Sequence, residues 1–441
     1  MVRNLLIFVV LFGLFQTIYW SCSSPKEGVS TLENPTTVPE VDENQSSEAE
    51  EIITYPPATQ EEITVTSEAG LNQPSPQPGA WNISAYLSKI QGKRLGLVVN
   101  QTSTVGSTHL LDTLLALGVK VEVIFAPEHG FRGEQDAGQK VVDGKDAKTG
   151  LPILSLYGKN KKPAVEDLIP VDLLLFDIQD VGARFYTYLS TLHYVMEAAA
   201  EQSKPVLVLD RPNPNGHYID GPVLDLNFSS FVGLHPVPVV YGMTIGEYAQ
   251  MINGEAWLEQ GVKAELEVIP CTFYDHQSVY QLPIKPSPNL PSQASIYLYP
   301  SLCFFEGTNI NAGRGTDTPF QVYGAPGLSD GVYQYTPQSN AGAAKPKHLN
   351  KNCKGFNLNY LEESDLKERT QLDLSYLISA YAGYQPQSEF FKYAKFFDLL
   401  AGSSDLREAI LQGDEEETIR ATWQEDLEAF QAVREKYLIY P

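Results

Sequence analysis

Glu128, His129 and Arg132 stand within five residues, directly after the apolar run Val121–Ala126 and a break at Pro127. Three ionisable groups of different types at the end of a buried strand are costly to place unless they have partners or a task. A carboxylate beside an imidazole suits general acid–base work. A locally satisfied ion pair in a polar loop is the competing reading of the same residues. Further polar groups end apolar runs in the same way: Asn100–Gln101, then Asp177–Gln179–Asp180, then Asp210–Arg211–Asn213. A distant glycine-rich stretch adds Glu306, Asn309, Arg314 and Asp317. It either faces the first set across a crevice or marks a domain junction that needs glycines for its backbone geometry.

Such groups meet only if strands bring their carboxyl ends to one side. The runs Arg94–Asn100, Val119–Ala126, Val171–Ile178, Pro205–Leu209 and Leu266–Pro270 read as strands, buried on both faces. Between them, His109–Leu117 and Tyr188–Glu201 carry apolar residues at helical spacing, and Thr244-x-x-Glu247 opens another helix as a capping box. Alternation of this kind predicts a Rossmann-like α/β domain with a mainly parallel sheet, and ligand binding beyond the strands' carboxyl ends. The texture changes near Tyr297, so a catalytic domain over 81–296 and a smaller α/β domain over 297–441 are expected. The stripe Trp423, Leu427, Phe430 and Tyr437 predicts a helix over Thr418–Tyr437 that faces the core.

The first strand-to-helix turn, NQTSTVGSTH, lacks G-x-G-x-x-G, and G-x-x-x-x-G-K-[ST] is also missing, so neither a dinucleotide nor a P-loop nucleotide is expected. No cofactor is expected. A net charge of −23 argues against sequence-independent nucleic-acid binding. Residues 1–22 have a short basic start, an apolar core too short to span a bilayer, and Ser21–Cys22. They read as a secretory signal, and Cys22 resembles the lipid-bearing cysteine of a lipobox, although bulky Tyr19 and Trp20 depart from that pattern. Residues 23–80 hold eleven acidic residues against Lys26 and few aromatics, the composition of a disordered spacer. The expected location is outside the cytoplasm, periplasmic or anchored to a membrane through Cys22. Cys271, Cys303 and Cys353 form no metal spacing and read as packed thiols with at most one bridge.

The blocks APEHGFRG (126–133), DIQDVGARFYTY (177–188), LDRPNP (209–214), FEGTN (305–309) and GRGT (313–316) resemble the signature blocks of the exo-β-N-acetylmuramidases of the NamZ type. The resemblance runs over roughly residues 82–441. It implies a two-domain enzyme that removes N-acetylmuramic acid from the non-reducing ends of peptidoglycan fragments. Glycosidic cleavage needs an acid for the leaving oxygen and a group that attacks or stabilises the oxocarbenium-like centre. Glu128 is the expected acid/base, with His129 orienting it. Glu306, Asp177, Asp180 and Asp210 are the candidates for the second carboxylate, Glu306 first because a crevice between two domains would close it over the sugar.

The substrate that this resemblance implies carries a lactyl carboxylate, and an anion in an acidic protein calls for arginine. Arg132, Arg184, Arg211 and Arg314 all lie in matching blocks. Tyr186, Tyr188 and Asn309 are candidates to contact the sugar or its N-acetyl group, and Asn100, Gln179, Asp210 and Asn213 to line the crevice. Two other classes compete. One is a metal-dependent hydrolase with His129, Asp177, Asp180 and Asp210 as ligands. The other is a surface lipoprotein that binds muropeptides without cleaving them.

Overall fold

Runs of β-branched and leucine residues build the sheet that everything else rests on. Seven strands form it: β1 (Arg94–Val99), β2 (Lys120–Ala126), β3 (Gly144–Lys145), β4 (Pro152–Ser155), β5 (Leu173–Asp177), β6 (Val206–Leu209) and β7 (Leu266–Ile269). The computed structural model describes residues 74–131 and 143–441. The spatial order is β3-β4-β2-β1-β5-β6-β7, and every pairing is parallel except that of β3 with β4. β1 sits centrally because the chain winds outward from it in both directions, which leaves a topological switch point between β1 and β5. Val99 is in register with Asp177 there, so the loops after these strands begin side by side.

The two faces follow from the period-2 alternation of side chains. Leu95, Leu97, Val99, Leu173, Leu175, Leu207 and Leu209 pack against α1 (Ile83–Ile90) and α2 (Leu110–Ala116). Val98, Phe125, Leu174, Phe176, Val206 and Val208 face α3 (Tyr188–Glu201) and α4 (Ile245–Gly254). That second core runs on without interruption into the C-terminal part of the chain. There, the antiparallel strands β8 (Val322–Ala325), β9 (Tyr333–Tyr335) and β10 (Cys353–Asn357) stand in the order β8-β10-β9. The described residues form one compact unit. The expected boundary between 296 and 297 falls inside α5 (Gln293–Leu302).

Local chemistry explains most element ends. Thr244 accepts from Glu247 N–H, and the Glu247 carboxylate accepts from Thr244 N–H, closing the expected capping box. His109 is a cap rather than a helical residue, since its ring accepts from Leu111 N–H. The stripe expected as one helix over 418–437 is two, α6 (Glu416–Ala421) and α7 (Gln424–Arg434). Trp423, at φ −114° and ψ 6°, leaves helical geometry between them and is buried. Cys271, Cys303 and Cys353 are buried, free thiols. Arg132 and Cys22 lie outside the described residues. No helix among the described residues is long and apolar enough to cross a membrane.

Candidate active site

Most of the polar groups that end the strands are knotted to one another, and they seal the carboxyl edge of the sheet. Arg211 clasps Asp177 through two bonds, Nε–Oδ1 at 2.5 Å and Nη2–Oδ2 at 2.9 Å, and both side chains are almost wholly buried. Asp210 accepts from the backbone N–H of Arg211 and Gly246 and from the hydroxyls of Thr244 and Tyr440. Asn100 donates to Tyr188 Oη and accepts from Thr102, which in turn accepts from Gln179 N–H. Gln179 donates to the carbonyls of Asp180 and Pro212, and Asn213 to that of Met243. Gly182 has φ +79°, and a Cβ there would lie 2.3 Å from Asn213 Oδ1, so only glycine fits.

Asp180 accepts from Gly182 N–H and from the Tyr241 hydroxyl. Burial pushes the carboxyls of Asp180 and Asp210 up to about 6, although their hydrogen bonds pull the other way. Both therefore hold a proton more tightly in the folded chain than at the ordinary value of 3.8. The stabilisation this gives is complete below about pH 4 and is lost as pH rises through about 6. Asp180→Asn cannot titrate, so its denaturation midpoint should gain on the wild type across that window and hold level above it. A gap constant from about pH 4 to about 7 would remove the argument.

These groups were expected at the mouth of the sheet. Asp177, Asp180 and Asp210 are there in sequence order, but as structural ties rather than as walls of the cavity. Both oxygens of Asp177 are held by a guanidinium and those of Asp210 by amides and hydroxyls, Asp180 is held through Oδ2 alone, and none of the three is among the residues that line the cavity. Asn100, Gln179, Arg211 and Asn213 were expected to line the crevice, and they too lie in this seal and outside the cavity wall. Arg184 is buried and donates to the carbonyls of Pro222, Val237 and Leu400, and burial pulls its guanidinium down to about 9. It braces loops and does not face a ligand. Asn309 bonds Tyr384 and Phe390, away from the cavity. Nor do His129, Asp177, Asp180 and Asp210 gather as metal ligands. Among the described residues, the only such group is Glu197, Glu201 and Glu259, where Lys162 bridges Glu197 and Glu201.

The cavity lies just beyond this seal. It encloses about 330 Å³ and is walled by segments far apart in sequence. The turn after β2 supplies Glu128 and His129, and the segment leading into α3 supplies Phe185, Tyr186 and Thr187. α5 and the 3₁₀ turn that extends it (Cys303–Gly307) supply Tyr299, Cys303 and Glu306. Arg314 and Phe320 follow, and Asn289, Tyr157, Phe231 and Phe396 complete the wall. Two wall residues hold left-handed backbone that their side chains disfavour, His129 at φ +69° and Phe320 at φ +57°. Each costs on the order of 1–3 kcal/mol, a strain typical of sites whose geometry is fixed in advance.

The two glutamates sit in opposite surroundings. Glu128 Oε2 accepts from the Thr187 hydroxyl at 2.7 Å, and Tyr157 also bonds this carboxylate, which helps burial push its phenol up. Tyr186 and Tyr188 pack edge to face, and Tyr186 donates to Pro286 O, so Tyr186 is a wall fixed by its own hydroxyl. Glu306 faces cations. Arg314 Nη1 lies 3.5 Å from its Oε1 and donates through Nη2 to Gly342 O, and Lys347 stands beside them. Burial would raise the Glu306 carboxyl, but Arg314 and Lys347 together bring it below its ordinary value. Both carboxylates act on the Tyr299 hydroxyl, which burial and these charges push far up. Tyr157, Phe231, Asn289 and Lys347 carry no sequence signal of their own and come from loops.

Comparison with known proteins agrees with this architecture. Residues 95–294 match the model of the N-terminal part of exo-beta-N-acetylmuramidase NamZ, and residues 297–440 that of its C-terminal part. The chain is 40% identical over 375 residues to the peptidoglycan beta-N-acetylmuramidase NamZ of Bacillus subtilis (strain 168), covering 80% of this chain and 89% of the relative. Two crystal structures of DUF1343 family proteins from Bacteroides fragilis NCTC 9343 are similar. One has a TM-score of 0.77 at 46% identity and the other 0.70 at 29%, each covering 83% of this chain and 99% of its own. A chain matched by both family models over nearly all of residues 95–440 belongs to the exo-β-N-acetylmuramidase NamZ family.

Proposed function

We propose that this protein is an exo-acting glycosidase that releases terminal N-acetylmuramic acid from the non-reducing end of peptidoglycan fragments. The observation that carries the reading is the placement of Glu128 and Glu306 in the wall of one small, aromatic cavity. A volume of about 330 Å³ is near the lower end for ligand sites, so it takes one substituted ring rather than a stretch of chain. That favours attack at a chain end. Glu128, oriented by the Thr187 hydroxyl, delivers a proton to the leaving oxygen. Glu306, kept ionised by its cations, faces the positive charge that develops at the anomeric carbon. In this reading residues 81–296 carry Glu128 and residues 297–441 carry Glu306. Residues 1–22 direct export, with Cys22 as the residue for a lipid anchor, and bring the enzyme to the wall.

Among the four arginines expected to bind the lactyl carboxylate, Arg314 is the one placed on the cavity wall among the described residues. The 4-nitrophenyl β-glycoside of N-acetylmuramic acid should be turned over with kcat/KM on the order of 10²-fold above that of the N-acetylglucosamine glycoside, which lacks the lactyl group. Equal turnover of the two sinks the substrate assignment. Arg314→Met should raise KM for the muramide by about tenfold or more and shrink this preference. A variant that keeps the preference would take Arg314 out of anion binding.

A further inference from the structure

Lys347 belongs to no strand or helix, yet its side chain is half-buried and fully committed. Nζ donates to three backbone carbonyls, Phe305 O at 2.6 Å, Glu306 O at 2.9 Å and Ile310 O at 3.3 Å. An ammonium has three donors, so none remains for a ligand. These carbonyls come from the end of the 3₁₀ turn Cys303–Gly307 and the loop after it, where Phe305 O also accepts from the Thr308 N–H and hydroxyl. The neighbouring His348 ties Asn309 O through Nε2 at 2.7 Å, and the Tyr393 ring lies 5.5 Å from the ammonium. A single cation thus gathers the backbone on both sides of the Glu306 side chain.

We propose that Lys347 is a positioning residue that fixes the turn presenting Glu306, without touching substrate. Its charge, after that of Arg314, also lowers the Glu306 carboxyl. The inference rests on Glu306 being the charged partner of Glu128 in glycoside cleavage. Glu306, Arg314 and Cys303 all act on the ammonium, with Tyr393 and His348 packed around it. Burial pulls Lys347 down to about 8, and Arg314 adds to that, while Glu306 and Cys303 oppose it. Loss of this proton loosens the carbonyl cage, so kcat of the wild type should fall as pH rises through about 8.

The test is the pH profile of muramide glycoside turnover by the full chain, its Lys347→Met variant and its Lys347→Arg variant. Lys347→Met should lose on the order of 10²-fold in kcat, keep KM within a few-fold, and show the acidic limb moved to higher pH. Lys347→Arg retains the charge and should keep the acidic limb at the wild-type position while kcat falls. Should the methionine variant not fold, the arginine variant and the wild-type alkaline limb decide. An unmoved acidic limb in Lys347→Met, a raised KM with kcat intact, or a wild-type kcat that is flat through about pH 9 overturns the assignment. A wild type that turns over no muramide overturns the glycosidase reading as well, whereas an active wild type with an unmoved limb overturns only Lys347.

Discussion

Glu128→Gln should lower kcat on a chromogenic N-acetylmuramic acid glycoside by 10²-fold or more, the usual scale of a positioned acid or base, with the fold unchanged. Glutamine can still accept from the Thr187 hydroxyl, so the contact that orients the side chain survives. What disappears is the transferable proton, and with it assistance to the leaving oxygen. The loss should shrink for a glycoside with a very good leaving group, because such a group departs without protonation. It should not shrink for Glu306→Gln, which removes charge. Turnover near the wild-type rate would take Glu128 out of the mechanism. The same dependence on leaving group in both variants would show that the two roles are exchanged or shared.

Asp177→Asn should be among the most destabilising single substitutions in the chain, by about 3–5 kcal/mol, because it leaves the Arg211 guanidinium buried without its counter-charge. The check is the midpoint of urea unfolding at unchanged slope. Asp177→Asn combined with Arg211→Met should recover part of the loss, since a buried ion pair replaced as a unit costs far less than one that is broken. Whatever fraction folds should turn over substrate within a few-fold of wild type, for neither residue reaches the cavity. A mild effect on unfolding together with a large loss of kcat would reverse the assignment and make Asp177 a catalytic group.

These two variants also separate what the sequence discloses from what it hides. The sheet was legible because its strands are unbroken apolar runs, and the α4 capping box because its two partners are three residues apart. Polar groups at the strand ends were legible as a set, since each directly follows such a run. Which of them are ties and which face a ligand was not. Asp177 and Arg211 are 34 positions apart, and nothing in either neighbourhood says that one clasps the other. Arg184 sits in a matching block and reads as an anion binder, yet three carbonyls from 222, 237 and 400 converge on it. Lys347 lies in a KPKH run that reads as solvated surface. Its partners are carbonyl oxygens, which every residue has and no sequence pattern marks.

Residues 439–441 bear on the order in which the molecule is put together. Tyr440 Oη donates to Asp210 at the carboxyl end of β6 and accepts from Cys271 N–H, the backbone N–H groups of Ile439 and Tyr440 reach Glu247 in α4, and His276 bonds Pro441 O. Asp210 and Tyr440 are 230 positions apart, and closing so long a loop is slow. A chain leaving the ribosome therefore holds all seven strands of the sheet well before the phenol that completes their edge has been synthesised. Assembly of this edge has to wait until Tyr440 has been made, and a chain cut short of residue 439 leaves the Asp210 end of the sheet unfastened.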